Sequence, residues 1–364
     1  MADQQSTHAS LSPAVNIYYE KKILEDFEPK AVFFNAAPIK TAMPKGSGNQ
    51  VEFTRYRKIA ALYSDNTDEF TAQQSYLSAQ VINATLHERD SYVQVSRFAS
   101  LAAIGPVLDQ AAKKVQSQAV KTLDKLVRND IGMCIADVAA ASSVNMNNLA
   151  IDGGSLNSTG ATARIWSHDA ATAGDRFPVY HNKTRVAQSA TVQSIAKTAL
   201  TVKTVQHGVS VLTSKDVDTL GDGMFRLIAH PEATYQITTN AGFKGWFSPT
   251  SSKEVKMNPS EVGIIAGTKI MHSTLAYKFP LSGDTMSTGS GDMYCSFLFG
   301  DEAYGVTEFA GQSNRQGFSF FLKQSGPQTT SDPTNMKKQA AFSITAVAKT
   351  LNKSAGLWLL STRL

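Results

Sequence analysis

The sequence predicts an α+β fold whose sheets are assembled from strands far apart in the chain. Three features carry this reading. Strand-like alternation flanks a polar stretch between residues 50 and 97, a helical stripe runs on from Gly105-Pro106, and short apolar strands are scattered from Met224 to Leu360.

Residues 1–12 are polar and lack the apolar run of an export signal. From Pro13 onward Ile17, Tyr18, Ile23, Leu24 and Phe27 recur at roughly helical intervals, until Pro29 breaks the pattern and Val32, Phe33 and Phe34 follow. A segment with aromatic anchors and no partner within itself reads as an arm that docks elsewhere. Pro44 to Asn49 is a turn signal. Val51, Phe53 and Tyr56 then alternate with Glu52, Thr54, Arg55 and Arg57, and the chain returns through Val81, Ala84 and Leu86 to Tyr92, Val93 and Val95. The two strands make an extended hairpin. It is basic near Arg55, Arg57 and Lys58 and acidic at its polar tip, with Asp65, Asp68 and Glu69. An isolated two-stranded ribbon is marginal in water, so the hairpin needs support from outside itself.

Leu108, Ala112, Val115, Ala119, Leu123, Leu126, Ile131, Cys134 and Val138 recur mostly every three or four residues. They predict a helix of about 30 residues, roughly 45–50 Å long. Gly132 interrupts it at a cost of roughly 1 kcal/mol. The stripe is too rich in Ala for a coiled-coil seam. Residues 145–190 read as a loop-rich insertion, and Val192 to Val205 as a second helix. Met224 to Ala229 predicts a buried strand stopped by His230-Pro231, with a helix over Glu232 to Thr239. Val262 to Met271 reads as a turn and strand, and Tyr294 to Phe299 as a buried strand ended by Gly300. Alternation returns at Phe318, Phe320 and Leu322, at Ala340, Phe342, Ile344, Ala346 and Ala348, and from Leu357 to Leu360.

The 364 residues fit one large elaborated domain or two modest ones. Hydrophobic residues at 42% can build a core, whereas charged residues at 18% leave a surface that is easily buried against neighbours. A net charge of +5 without a concentrated basic run argues against a dedicated nucleic-acid reader. Cys134 and Cys295 leave open a disulfide or two reduced, buried thiols, and the second suits residues of this type better.

The chain carries no zinc-protease, nucleophile-elbow or phosphate-loop motif, and its seven histidines lack ligand spacing. Pro44 to Asn49 precedes a strand rather than a helix, so it offers no helix N-terminus to an anion. His230 reads as a turn cap rather than a base. The pairs Asp216/Asp218 and Asp301/Glu302 read as solvated loop carboxylates without a third metal ligand. Phe309, Phe318, Phe320 and Phe321 read as core rather than as a stacking platform. No catalytic residue, cofactor or metal is expected.

The order of parts (arm, long hairpin, long helix, mixed domain, returning strands) resembles the Hong Kong 97-like fold of tailed-phage major capsid proteins. The local sequence resembles the podophage coat-protein family typified by the phage N-four. That likeness lies in Tyr18 to Leu24 with Glu28-Pro29, Met43 to Gly48, Val51 to Tyr56, Leu227 to Pro231, and Ala340 to Phe342 with Ala346, Ala348, Lys349, Leu351, Asn352 and Trp358. The resemblance implies an arm over 1–49, an extended loop over 50–98 and a peripheral domain with a spine helix over 99–204. An axial domain over 205–315 and strands over 316–364 returning to the peripheral domain complete it. It also implies self-assembly into hexamers and pentamers of an icosahedral head around double-stranded DNA. Scaffold, portal and decoration proteins are the further partners implied, with no membrane, and with host cytoplasm as the place of assembly. Tyr18, Tyr19, Arg55, Arg57, Lys58, Asp65, Asp68 and Glu69 are then the candidates for contact between subunits. A tail or decoration component, or a weakly basic nucleic-acid-binding protein, is the competing reading. The first should lack the long helix, and the second needs a concentrated basic face.

Overall fold

The computed structural model describes residues 31–43, 48–59, 75–96, 98–99, 107–131, 135–137, 163–165, 177–185, 198–239, 260–279, 293–309, 318–323 and 336–362. One helical turn, α1 (Val32–Asn35), leads into β1 (Ile39–Met43). The hairpin follows as β2 (Gln50–Tyr56) and β3 (Ala79–Thr85), paired antiparallel in the register Val51–Ala84 and Phe53–Ile82. A second strand, β4 (His87–Ser96), continues past Leu86. The return stretch is therefore two strands, and only the first closes the hairpin.

The spine helix α2 (Val107–Ile131) has 25 residues, roughly 37 Å at about 1.5 Å each. Its buried stripe includes Ala112, Val115, Ala119, Leu123, Val127 and Ile131. It stops short of the expected end. Gly132 follows Ile131, and Ile135–Asp137 is already extended as β5, paired with β6 (Ala163–Ile165). Cys134 and Val138 lie outside the described residues. A cross-strand partner outweighs weak helical propensity once a glycine has broken the run.

The remaining strands divide between two larger sheets. Short β7 (Val179–His181) and β8 (Thr184–Arg185) turn through Asn182 and Lys183, both at positive φ. Helix α3 (Val202–Ser214) is capped by the Thr201 hydroxyl, which accepts the Thr204 N–H (3.2 Å), and runs past the expected end at Val205, whereas residues 192–197 of the expected helix lie outside the described residues. Then come β9 (Phe225–Ala229), α4 (Pro231–Thr239), β10 (Glu261–Ile265) and β11 (Thr268–His272), the last two joined through Ala266 and Gly267. Positive φ at both turn residues is the geometry that matches a hairpin's twist. The chain finishes with β12 (Lys278–Phe279), β13 (Met293–Phe299), β14 (Tyr304–Phe309), β15 (Phe318–Lys323), β16 (Lys337–Thr350) and β17 (Gly356–Thr362).

The central sheet runs β10-β11-β9-β13-β17-β7-β8, with β12 also on β13. In β13 and β17 every residue is buried, so both faces are covered. Cys295, Phe297, Phe299, Trp358 and Leu360 point into the core shared with the spine helix. Tyr294, Leu298, Leu357 and Leu359 point the other way, toward α3 and α4. Trp358 anchors the first face, its ring 4.7 Å from Phe297 and 5.4 Å from Tyr277. Gly208 lets α3 lie close on the second. A Cβ there would sit 2.7 Å from the Leu298 side chain. Cys295 is fully buried.

The outer sheet is organised by β16. β4 lies along one side of it, and β15 and then β14 along the other, with β1 parallel to β14 at the edge. Ala340, Phe342, Ile344 and Ala348 face the spine helix. The domain divisions expected from sequence do not follow these sheets. Tyr304–Phe309 belongs to the outer sheet, and Gly356–Thr362 lies in the middle of the central one.

Residues 31–43, expected to dock elsewhere, dock at home. Val32, Phe33 and Phe34 are buried in the main core. The Asp124 carboxylate on the spine helix accepts the N–H groups of Phe33 (2.7 Å) and Phe34 (3.1 Å), and the Tyr304 hydroxyl donates to the Phe33 carbonyl (2.6 Å). Apolar side chains this near an apolar helix bury themselves, and the exposed amides of α1 then need an acceptor.

Candidate assembly surface

The hairpin is anchored at its root. Val51, Phe53, Ala84 and Leu86 form a small core with Leu351, separate from the two larger ones. Above that root its cations meet carboxylates of the same chain. Arg55 Nε lies 3.2 Å from Glu302 Oε2, and Lys58 Nζ lies 3.0 Å from Asp218 Oδ2 and 3.5 Å from Asp216 Oδ2. The Asp218 hydrogen bond, with Asp216 beside it, raises the Lys58 ammonium above its ordinary pKa. Arg57 is exposed. Arg55 and Lys58, expected to reach a neighbouring subunit, thus have partners at home, on the two acidic pairs expected to be merely solvated. Tyr18, Tyr19, Asp65, Asp68 and Glu69 lie outside the described residues.

The outer sheet has one face on the spine helix and one face open. Register places Tyr92, Ala341 and Phe321 side by side across β4, β16 and β15. Tyr92 is 64% exposed and Phe321 56%. Beside that row stand Glu88 and Asp90, and Glu88 accepts the Ser343 hydroxyl (2.6 Å). Phe321, expected in the core, is outside because adjacent strand residues face opposite ways. Phe320 takes the buried side. Phe309 and Phe318 have no described side chain.

Eleven large apolar side chains are exposed among the described residues, and all but Tyr235 lie on or beside the hairpin and this open sheet. The hairpin contributes Tyr56, Ile59, Tyr76, Leu77 and Val81. Sequence reasoning missed the apolar surface and found the charges instead. The available signal was the doublets Tyr92-Val93 and Phe320-Phe321, which put one large residue on each face of a sheet with a single covering helix.

Among the described residues no site for chemistry assembles elsewhere. His230 caps α4, its Nδ1 accepting the Glu232 N–H (3.2 Å), and its ring stacks on Tyr294 (5.1 Å). Burial, with His230 nearby, lowers the pKa of His272. Among the described residues no group of three or more His, Cys, Asp or Glu could hold a metal ion, and no helix is long and apolar enough to cross a membrane.

No family model matches the sequence, and no curated protein is similar to it. Solved structures do match. The capsid of Ralstonia phage GP4 superimposes with a TM-score of 0.59 at 12% identity, covering 90% of this chain and 88% of that one. The cyanophage Pam1 capsid asymmetric unit gives 0.54 at 10%, covering 89% and 88%. The head structure of Helicobacter pylori bacteriophage KHP40 gives 0.51 at 8%, covering 89% and 87%. This is the Hong Kong 97-like capsid fold. The spine helix packs on the inner face of the outer sheet, and the hairpin lies beside β1 and Glu302.

Proposed function

We propose that this chain is the major capsid protein of a tailed bacteriophage, a structural subunit without catalytic activity that builds the head shell. One observation carries the reading. Along a chain with the capsid fold over nine-tenths of its length, the exposed apolar side chains gather on the hairpin and the open sheet face. Exposed apolar side chains gathered in this way mark a protein contact. A second copy of the chain supplies the complementary surface, in hexamers and pentamers that close around packaged double-stranded DNA. The spine helix weighs against a tail or decoration component.

Tyr18 and Tyr19 in the arm, Arg57 on the hairpin, and Asp65, Asp68 and Glu69 at its tip are the polar and aromatic contacts assigned to neighbours. Charges at a rim of this kind set register more than affinity. Scaffold, portal and decoration proteins are the further partners, assembly takes place in the host cytoplasm, and the motifs shared with N-four-like coat proteins point to that branch of phages. Sedimentation and negative-stain microscopy of the purified chain test the reading. Shells, sheets or discrete hexamers are expected. A monomer at every concentration and salt, in which residues 50–97 resist protease, overturns it.

A further inference from the structure

Two of the three carboxylates that meet the hairpin's cations sit at positive φ. Five non-glycine residues have positive φ among the described residues. Asn182, Lys183 and Ala266 lie in two-residue hairpin turns, where the turn itself demands it. The other two are Asp216 (φ 57°), just after α3, and Glu302 (φ 56°), between β13 and β14. At Asp216 the end of α3 demands it, the Val217 N–H returning to the Leu212 carbonyl (3.2 Å) and the Asp216 N–H to the Thr213 carbonyl (2.9 Å), whereas Glu302 is in neither kind of turn and its conformation favours glycine. Both carry a carboxylate that meets a hairpin cation. Their turns are also joined, the Asp301 N–H donating to the Asp218 carbonyl (2.9 Å). Strained residues held by their surroundings cluster where a side chain must be aimed.

The hairpin has little else to fix its angle. Its root core is small, and a cleft of about 170 Å³ separates part of β2 from β1 and the Glu302 turn. Arg55 and Glu302 both line that cleft. The side chains of the pairs are partly to largely exposed, so salt reaches them.

We propose that Arg55–Glu302 and Lys58–Asp216/Asp218 form an ionic latch that sets the hairpin's angle on the free subunit and releases it when those charges are screened or competed for. The latch rests on the capsid reading only for what the released hairpin then meets. The shared platform of two turns holds both points of the latch at once, so the hairpin is fixed in direction rather than merely tethered. Exposed pairs suit a reversible device, because each one alone is weak.

The test uses the full chain, kept below the concentration at which it associates, with spin labels at Leu77 and Thr213 and Cys134→Ser to leave them as the reactive thiols. Raising salt from about 0.01 M to about 1 M shortens the screening length from roughly 30 Å to roughly 3 Å. The label-to-label distance distribution is expected to be narrow at low salt and broad at high salt. Glu302→Gln with Asp218→Asn should be broad at both, and the exchanged pair Arg55→Glu with Glu302→Arg narrow again at low salt. A distribution that ignores both salt and substitution overturns the latch. The salt titration needs no substitution at the latch itself, so it decides even where those variants fail to fold. Microscopy separates the two readings: shells with a rigid hairpin sink the latch alone, whereas a salt-responsive hairpin on a permanent monomer sinks the capsid reading alone.

Discussion

Strands β13 and β17 bury every side chain on both faces, whereas β16, just as apolar on its inner side, has its outer face open around Tyr92 and Phe321. Helices explain the difference. The central sheet is packed between the spine-helix core and α3 with α4, while the outer sheet has the spine helix alone. The lesson concerns how much of the fold is finished within one chain. The central sheet is covered on both faces, and the outer sheet with its hairpin leaves apolar area uncovered among the described residues.

The comparison breaks most visibly if the central sheet proves tolerant. Trp358→Ala removes the ring between Phe297 and Tyr277 and should cost about 3–5 kcal/mol in urea unfolding of the monomer. Asp124 comes next. Burial raises its pKa from 3.8 to about 7, against the pull of the Phe34 and Phe33 N–H groups and of Arg128. The folded state therefore holds this proton more tightly than the unfolded chain. Stability from this group is fully present below pH 4 and is lost as pH rises toward 7, by at most about 4 kcal/mol. Asp124→Asn keeps an acceptor for both amides and should remove its share of that slope. Burial also raises the pKa of Asp130, which adds a slope of the same sign, so the difference between variant and parent is the quantity to measure. Gly208→Ala, pushing on Leu298 through the close-packed face, should cost about 1–3 kcal/mol.

The smallest stability effect belongs to the open face, and it sharpens the comparison. Tyr92→Asp with Phe321→Asp should change monomer unfolding by no more than about 0.5 kcal/mol, as exposed positions do. Shell yield by sedimentation should nevertheless collapse. If this pair destabilises the monomer as Trp358→Ala does, the face is closed at home and the contrast between the sheets is lost.

Much of this was legible in local pattern. Continuous apolar runs marked β9 and β13, alternation marked β16 and β17, and the three-to-four spacing marked the spine helix. Alternation shows which residues share a face but not which strand lies next to it. Thus the chain after Leu86 read as more hairpin, although β4 leaves β2 and pairs with β16, far along the sequence. Arg55 and Lys58 stood out as charges in an alternating strand. Their partners, Glu302, Asp216 and Asp218, sit in turns that only the tertiary fold brings beside them. Val32 to Phe34 looked partnerless because their acceptor is a single carboxylate on a helix, a position where a buried acid has no periodic signature.

The place of β17 in the sheet has a consequence for biosynthesis. It lies between β13 and β7, so the slot it fills stays empty until residue 362 has left the ribosome. Until then each neighbour presents an unpaired edge, and the pairing with β7 joins residues about half the chain apart, which makes it slow. A truncated polypeptide keeps that gap permanently, and open edges of this kind aggregate or are degraded. A chain that lacks β17 therefore lacks the strand that joins the two halves of its central sheet.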